Sequence, residues 1–451
     1  MSERRVIVIG AGPKGIALAA KASTVSKLKI ADVPEILLLD PHGPAANWSG
    51  KHGYTTGNHE LATPPMKDVG YPYRSTCWGN SEHDNSVNSA MLKFSWQSYL
   101  IATQGEATNP FADWVDRGSP PPQLKKWAAY LTWVAQRTEN SEIVRFDYRE
   151  ARRINIDEKF EKWVVTVEDL TTGVTEDLHA DALVISGPGR SLPVKNQGQS
   201  RGRLMDAEHV WNHIPQMKEE AVRAATLLRS AAGIPEVDHS EPEASISTYV
   251  IGDGGAASSV ILSLLDSMGS ACDIKIVSLA GVTYSRGESY DENRHYSDPT
   301  EWQTFDSETR KRFLRHTANG VFSLEAKKAF NQRENLETVY GEVHKVEDNG
   351  VRVRIDLKDG RTMMCDYAII ARGFDAKWWT SILGDSAQQR IQEICRGDIK
   401  MIGELIGYHL EVRNLEPSLH LPMLAGMTQG PGFPSLGCLG LLSDRILKMH
   451  C

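Results

Sequence analysis

The chain has 451 residues, 41% hydrophobic and 24% charged, with a formal net charge of −8. That length accommodates two or three domains with sizeable cores, and the acidic balance argues against nucleic acid or an anionic membrane as a partner. Six scattered cysteines (Cys77, Cys272, Cys365, Cys395, Cys438 and Cys451) form no C-x-x-C pair and no metal-ligand spacing, which argues against a disulfide scaffold and leaves no metal expected.

Arg4 and Arg5 before an apolar stretch imitate a secretory signal, but Pro13 and Lys14 interrupt it and glycines fall at regular spacing. The chain is therefore expected to be cytoplasmic, with the sequon Asn47-Trp48-Ser49 idle. No apolar run approaches the length of a membrane span. Residues 5–9, "RVIVI", read as a buried parallel strand. Gly10, Gly12, Pro13 and Gly15 make the candidate cradle turn, followed by a helix through about Val25 and a second apolar strand ending at Asp40. Strand, glycine turn, helix, strand and acid make a dinucleotide cradle. Gly10 permits the tight turn, Gly12 admits a diphosphate to the backbone N–H groups, and Gly15 brings helix and strand together. Asp40 can accept hydrogen bonds from a free ribose.

Residues 41–75 are rich in glycine, proline and aromatics. A loop of this length in a compact domain is usually functional, and it follows the ribose strand directly, so it can wrap the far end of a bound dinucleotide. The segments 162–189 and 351–375 resemble each other: an alternating strand, a turn, a second strand, then an aspartate and a buried strand ending at glycine. Asp359-Gly360 is a hairpin signal. Residues 190–245 read as a polar connector with one helix near 215–232.

A second cradle lies at "YVIGDGGAASSV", residues 249–260, with Gly252, Gly254, Gly255 and Ala257 at the turn. The following strand ends in Ser278 rather than an acid, with Arg286 shortly beyond, a pair that accommodates a 2′-phosphate. The basic run 310–316 reads as a solvated helix face, with a phosphate site as the alternative. The chain closes with a glycine turn and helix over 430–449.

The expected fold is α/β, with two Rossmann-like dinucleotide-binding domains. Residues 1–189 and 366–451 form an FAD-binding domain. The NADPH-binding domain, 190–365, is inserted within it and carries a small, partly helical substrate-contact segment at about 286–330. A cradle for a free-ribose adenosine and one for NADPH imply a flavoprotein reduced by NADPH. A disulfide reductase lacks its cysteine pair here. A Baeyer–Villiger enzyme lacks its F-x-G-x-x-x-H motif, where "SGPGRSLPV" stands.

The chain resembles the siderophore-type N-hydroxylating flavin monooxygenases, and within them the mycobactin/nocobactin lysine N6-monooxygenases. The likeness is carried by "GAGPKGIALAAKAS", "ANWSGKHGYTTGNHELATPPMKDVGYPYR", "SWQSYLIAT", "YSRGESYDENRHYSDPTEW" and "TQGPGFPSLGCLGLLSDRIL". The resemblance implies that Lys67 binds the substrate carboxylate, that Asn293 binds substrate, and that Trp48, Gly373 and Leu436 contact FAD. The sequence departs from the pattern at Arg372 and Phe374, where threonine and tyrosine are expected, and at "VFS" (321–323), where an asparagine run is expected. These departures leave lysine, ornithine or another diamine open as substrate, as well as another NADPH-dependent flavin oxidation.

The implied chemistry is NADPH reduction of FAD, capture of O2 as a C4a-hydroperoxide and attack by the neutral side-chain amine. It calls for a dry pocket and a carboxylate anchor rather than a catalytic side chain, because the flavin carries the reaction. A lysine amine, of reference pKa about 10.4, must be favoured in its neutral form. A homo-oligomer is left open.

Overall fold

The computed structural model describes residues 4–52, 55–73, 77–232, 245–318 and 320–451. Positions 233–244 of the expected connector lie outside the described residues. The runs "RVIVI" and "EILLL" form the strands Arg5–Ile9 and Glu35–Leu39, each buried from its second residue onward. Strands with apolar side chains on both faces are stable only in a sheet covered on both sides, the usual setting of parallel pairing. These two pair in parallel from Arg5↔Glu35 to Ile9↔Leu39, with the helix Pro13–Lys27 as the crossover. Three more strands complete the sheet, in the order Ser418–His420, Ala182–Ile185, Arg5–Ile9, Glu35–Leu39, Val144–Asp147. The crossover helix is buried from Pro13 to Val25 and packs against the closing helix Leu439–His450.

The second half repeats the design. Ile246–Ile251 is followed by a glycine turn, the helix Gly255–Met268 and the strand Cys272–Ser278, again paired in parallel. Each half also carries a three-stranded antiparallel meander, over residues 150–180 in the first and 343–365 in the second. The internal likeness read from the sequence is thus a structural repeat. Each meander leads the chain back into its own sheet, through Ala182–Ile185 in the first half and Tyr367–Ile370 in the second.

That return corrects one expectation. The first domain does not resume near Asp366, because Tyr367–Ile370 lies between Ile246–Ile251 and Leu204–Asp206 in the second sheet. The chain crosses back only after Ala371, and Trp379 is the first later residue buried in the first core. The apolar run "YAII" can join either sheet, and only its long-range partner decides.

Two antiparallel linkers join the halves. Gly189 N donates to the Asp375 carbonyl, Asp375 N to Arg190, and Leu192 N to Gly373, at 3.0, 2.9 and 2.9 Å. Arg372, one of the departures noted above, donates from Nη1 to the Pro193 carbonyl at 2.6 Å and ties the linkers together. The substrate-contact segment is partly helical, with Tyr290–His295, Ser307–Thr317 and a short parallel pair, Tyr284–Arg286 with Val321–Ser323. The basic run 310–316 lies on the Ser307–Thr317 helix, with Lys311, Arg312, Arg315 and His316 exposed.

Candidate active site

At the first cradle, Gly10 has φ +103° and its N–H donates to the Leu39 carbonyl at 2.8 Å. A Cβ there would lie 2.7 Å from Ser186 Oγ. A Cβ on Gly15 would meet the Gly10 carbonyl at 2.5 Å, so only glycine lets helix and strand approach this closely. At Gly12 a Cβ would meet nothing within 4 Å. The turn therefore opens onto free space beside the helix start, with Pro13 in the first helical turn. This is the room and polarity a dinucleotide diphosphate needs. Asp40 accepts from Ala11 N at 3.1 Å and His42 N at 3.0 Å, and burial raises its pKa. The residues fit the adenosine diphosphate half of FAD.

At the second cradle, Gly252 has φ +130°, and a Cβ there would lie 2.3 Å from the Ala371 carbonyl. Gly254 caps the helix, a Cβ on Gly255 would meet open space, and Ala257 is fully buried. The residues fit a second dinucleotide. The end of its ribose strand differs from expectation. Ser278 Oγ donates to the Asp253 carboxylate, so an acid stands beside the position where its absence had suggested a 2′-phosphate. The acid was visible in "GDGG", but only the folded chain brings it against the end of the following strand. Arg286 is half-buried on its short strand, and its charge reaches the Tyr296 hydroxyl.

Lys67 and Asn293 come together. Lys67 sits on a turn held by Asp68, whose oxygens accept from Gly70 N at 2.8 Å and Trp96 N at 2.6 Å. Burial pushes the Asp68 carboxyl up to about 7. From that turn Lys67 Nζ donates to the Asn293 carbonyl at 3.0 Å. Burial lowers the pKa of its ammonium, and no carboxylate lies within ion-pair reach of it among the described residues. The Asn293 side chain is turned inward on its own helix start, donating from Nδ2 to the Gly287 and Ser289 carbonyls at 3.2 and 2.9 Å. Asn293 therefore presents its main-chain carbonyl toward Lys67.

The loop 430–438 forms the other wall. Cys438 Sγ donates to the Tyr296 carbonyl at 3.2 Å, and burial pushes its thiol up to about 12. Cβ atoms on Gly432 or Gly437 would strike that same carbonyl, at 2.3 and 2.2 Å. Tyr73 closes the 41–75 segment onto this loop, its hydroxyl donating to the Gly437 carbonyl at 2.8 Å. Cys438 and Tyr73 were not singled out in the sequence, since a lone cysteine or tyrosine carries no local signal. Trp48 and Leu436 are both half-buried against the first core, and Gly373 adopts φ +89° in the linker. The loop segments carrying Gly53, Tyr54, Arg74 and Ser75 lie outside the described residues.

Residues 89–363 match the family described as L-lysine 6-monooxygenase/L-ornithine 5-monooxygenase. The chain is 33% identical over 450 residues to the L-lysine N6-monooxygenase MbtG of Mycobacterium tuberculosis (strain ATCC 25618 / H37Rv), covering 98% of this chain and 93% of that protein. It is also 33% identical over 449 residues to MbtG of Mycolicibacterium paratuberculosis, covering 98% and 94%. Among solved structures it is similar to the lysine monooxygenase NbtG from Nocardia farcinica, with TM-score 0.79, 30% identity and 99% of each chain covered. A Kutzneria ornithine N-hydroxylase shares the fold, with TM-score 0.72 at 13% identity. With a shared fold, a family match over residues 89–363 and near-complete coverage at one-third identity, the chain belongs to the L-lysine 6-monooxygenase/L-ornithine 5-monooxygenase family.

Proposed function

We propose that this protein is an FAD-dependent, NADPH- and O2-consuming monooxygenase that hydroxylates the side-chain amine of L-lysine to N6-hydroxylysine. The reading places it in the cytoplasm, supplying a hydroxamate siderophore of the mycobactin or nocobactin type. No described helix is long and apolar enough to cross a membrane. The lysine assignment is supported by the relatives named L-lysine N6-monooxygenase. The observation that carries the site is the contact between Lys67 Nζ and the Asn293 carbonyl. It sets a half-buried ammonium, free of any protein carboxylate among the described residues, at the junction of the 66–73 turn, the 290–298 segment and the 430–438 loop.

The cradle at Gly10, Gly12 and Gly15 would hold FAD and that at Gly252, Gly254 and Ala257 would hold NADPH, and the flavin would supply the oxygen-activating chemistry. The protein's own contribution is binding and environment. Lys67 pairs with the substrate carboxylate and adds positive charge, which disfavours a second cation on the substrate amine and so promotes its neutral, nucleophilic form. The Cys438 thiol stays protonated at neutral pH and presents no competing nucleophile. The glycines of the 430–438 loop seat it closely against the Tyr296 carbonyl.

The deciding experiment loads the protein with FAD, reduces it anaerobically with NADPH and admits air with free L-lysine, L-ornithine or an acylated lysine. Hydroxylamine formation is expected to be greatest with L-lysine. Preferred turnover of ornithine would move the assignment to the other branch of the family. NADPH oxidation without hydroxylamine from any amine would make the protein a different flavin oxidoreductase.

A further inference from the structure

Lys14 is the residue inside the first cradle that neither the glycine pattern nor the ribose acid accounts for. It follows Pro13 in the first turn of the Pro13–Lys27 helix and is only 8% exposed. Its Nζ donates to the Pro434 carbonyl at 2.9 Å. No carboxylate lies within ion-pair distance of it among the described residues. A buried lysine elsewhere in the same helix, Lys21, shows the contrast: its Nζ meets Asp444 at 2.7 Å.

Taking an ammonium out of water is costly unless an opposite charge compensates it. Lys14 has one neutral acceptor for three N–H donors. Burial accordingly lowers its pKa to about 8. Two residues before Lys14, the helix start at Gly12 opens onto space where a Cβ would touch nothing within 4 Å. The helix N-terminus already favours an anion there.

We infer that Lys14 is the counter-charge for the FAD diphosphate, a buried ammonium that the folded chain holds on a neutral carbonyl alone and that the dinucleotide would supply with an opposite charge. This rests on the first cradle holding FAD, as proposed above. Through its bond to Pro434 the same side chain links the cradle to the loop that ends at Cys438, beside the Lys67 and Tyr296 corner. Lys14 is thus a binding and positioning residue that no glycine fingerprint would identify.

The test strips FAD from the wild type, Lys14→Met and Lys14→Arg, then titrates each with FAD, ADP-ribose and riboflavin. ADP-ribose carries the diphosphate without the flavin ring, and riboflavin the ring without the diphosphate. Lys14→Met is expected to weaken FAD and ADP-ribose at least tenfold, leave riboflavin unchanged and flatten the salt dependence of FAD binding. Lys14→Arg keeps the charge and should stay within a few-fold of wild type. The stripped Lys14→Met protein should melt at or above the wild-type temperature, because an uncompensated buried charge has gone. A strut that merely supports Pro434 would instead lower that melting temperature and weaken riboflavin equally, overturning the inference. Unchanged FAD and ADP-ribose affinity in Lys14→Met would overturn it too, while leaving the cradle intact. If the wild type itself bound no FAD, the cradle reading would fall first and this inference with it.

Discussion

Lys67 Nζ and the Asn293 carbonyl lie 3.0 Å apart although 226 residues separate them in the chain. The contact joins the loop that follows the first ribose strand to the helical segment that follows the second cradle. Under the proposed function, substrate would bind between the two dinucleotide units rather than within either.

Replacing Lys67 with alanine should raise the apparent KM for L-lysine more than tenfold. A charge-assisted hydrogen bond is worth about 1.5–3 kcal/mol, and losing uniform binding acts on KM rather than on turnover. NADPH oxidation in the absence of amine should change little. Steady-state kinetics in both modes checks this, and an unchanged KM would remove Lys67 from the site.

The closing helix is pinned to the cradle helix by a buried pair, Lys21 Nζ with Asp444 Oδ1, to which Trp78 Nε1 also donates at 2.9 Å. Lys21→Met leaves the carboxylate buried without its cation and should cost about 3–5 kcal/mol. Lys21→Met combined with Asp444→Leu should recover much of that loss. Urea unfolding of the single and double variants measures the coupling, and additive losses would show that the charges do not act as a pair.

Acid should destabilise the fold below about pH 6.5, the ordinary histidine pKa. His420 Nε2 and His450 Nε2 lie 2.8 Å apart, and His420 Nδ1 faces the His409 carbonyl at 2.8 Å, so His420 donates there and meets His450 as a neutral ring. Burial lowers the His420 pKa to about 3 and that of His450 to about 4. Between those values and the ordinary one, the unfolded chain binds protons that the folded chain does not. Stability therefore falls as pH drops through that window, by at most about 1.4 kcal/mol per pH unit for each ring. Asp68, with its carboxyl raised to about 7, acts in the opposite sense. The measurement is consequently the difference in pH slope between wild type and His420→Gln, and equal slopes would refute the assignment.

Asp253, hydrogen-bonded to Ser278, sets a carboxylate at the ribose end of the second cradle. Two like charges near a protein surface repel by about 1–4 kcal/mol at contact distances. Asp253→Asn should thus tighten NADPH relative to NADH, by roughly fivefold at the lower bound of that repulsion. Fluorescence titration with both dinucleotides reads the ratio directly. A ratio that does not move would mean that the 2′-phosphate lies away from Asp253.

Much of this protein was determined locally. A glycine with φ +103° or +130°, a helix that must start at an open turn, and a run of apolar residues with no polar face are demands that neighbouring residues make on one another. The two cradles, the meanders and the closing helix could be read for that reason. What only the folded chain decided was pairing between distant segments. "YAII" carries no mark of which sheet it will enter, and Lys14 and Lys21 look alike in one helix until the loop at Pro434 and the helix at Asp444 are brought against them. A side chain's burial, its partner and the proton it holds are properties of its surroundings, and those surroundings are assembled from residues hundreds of positions away.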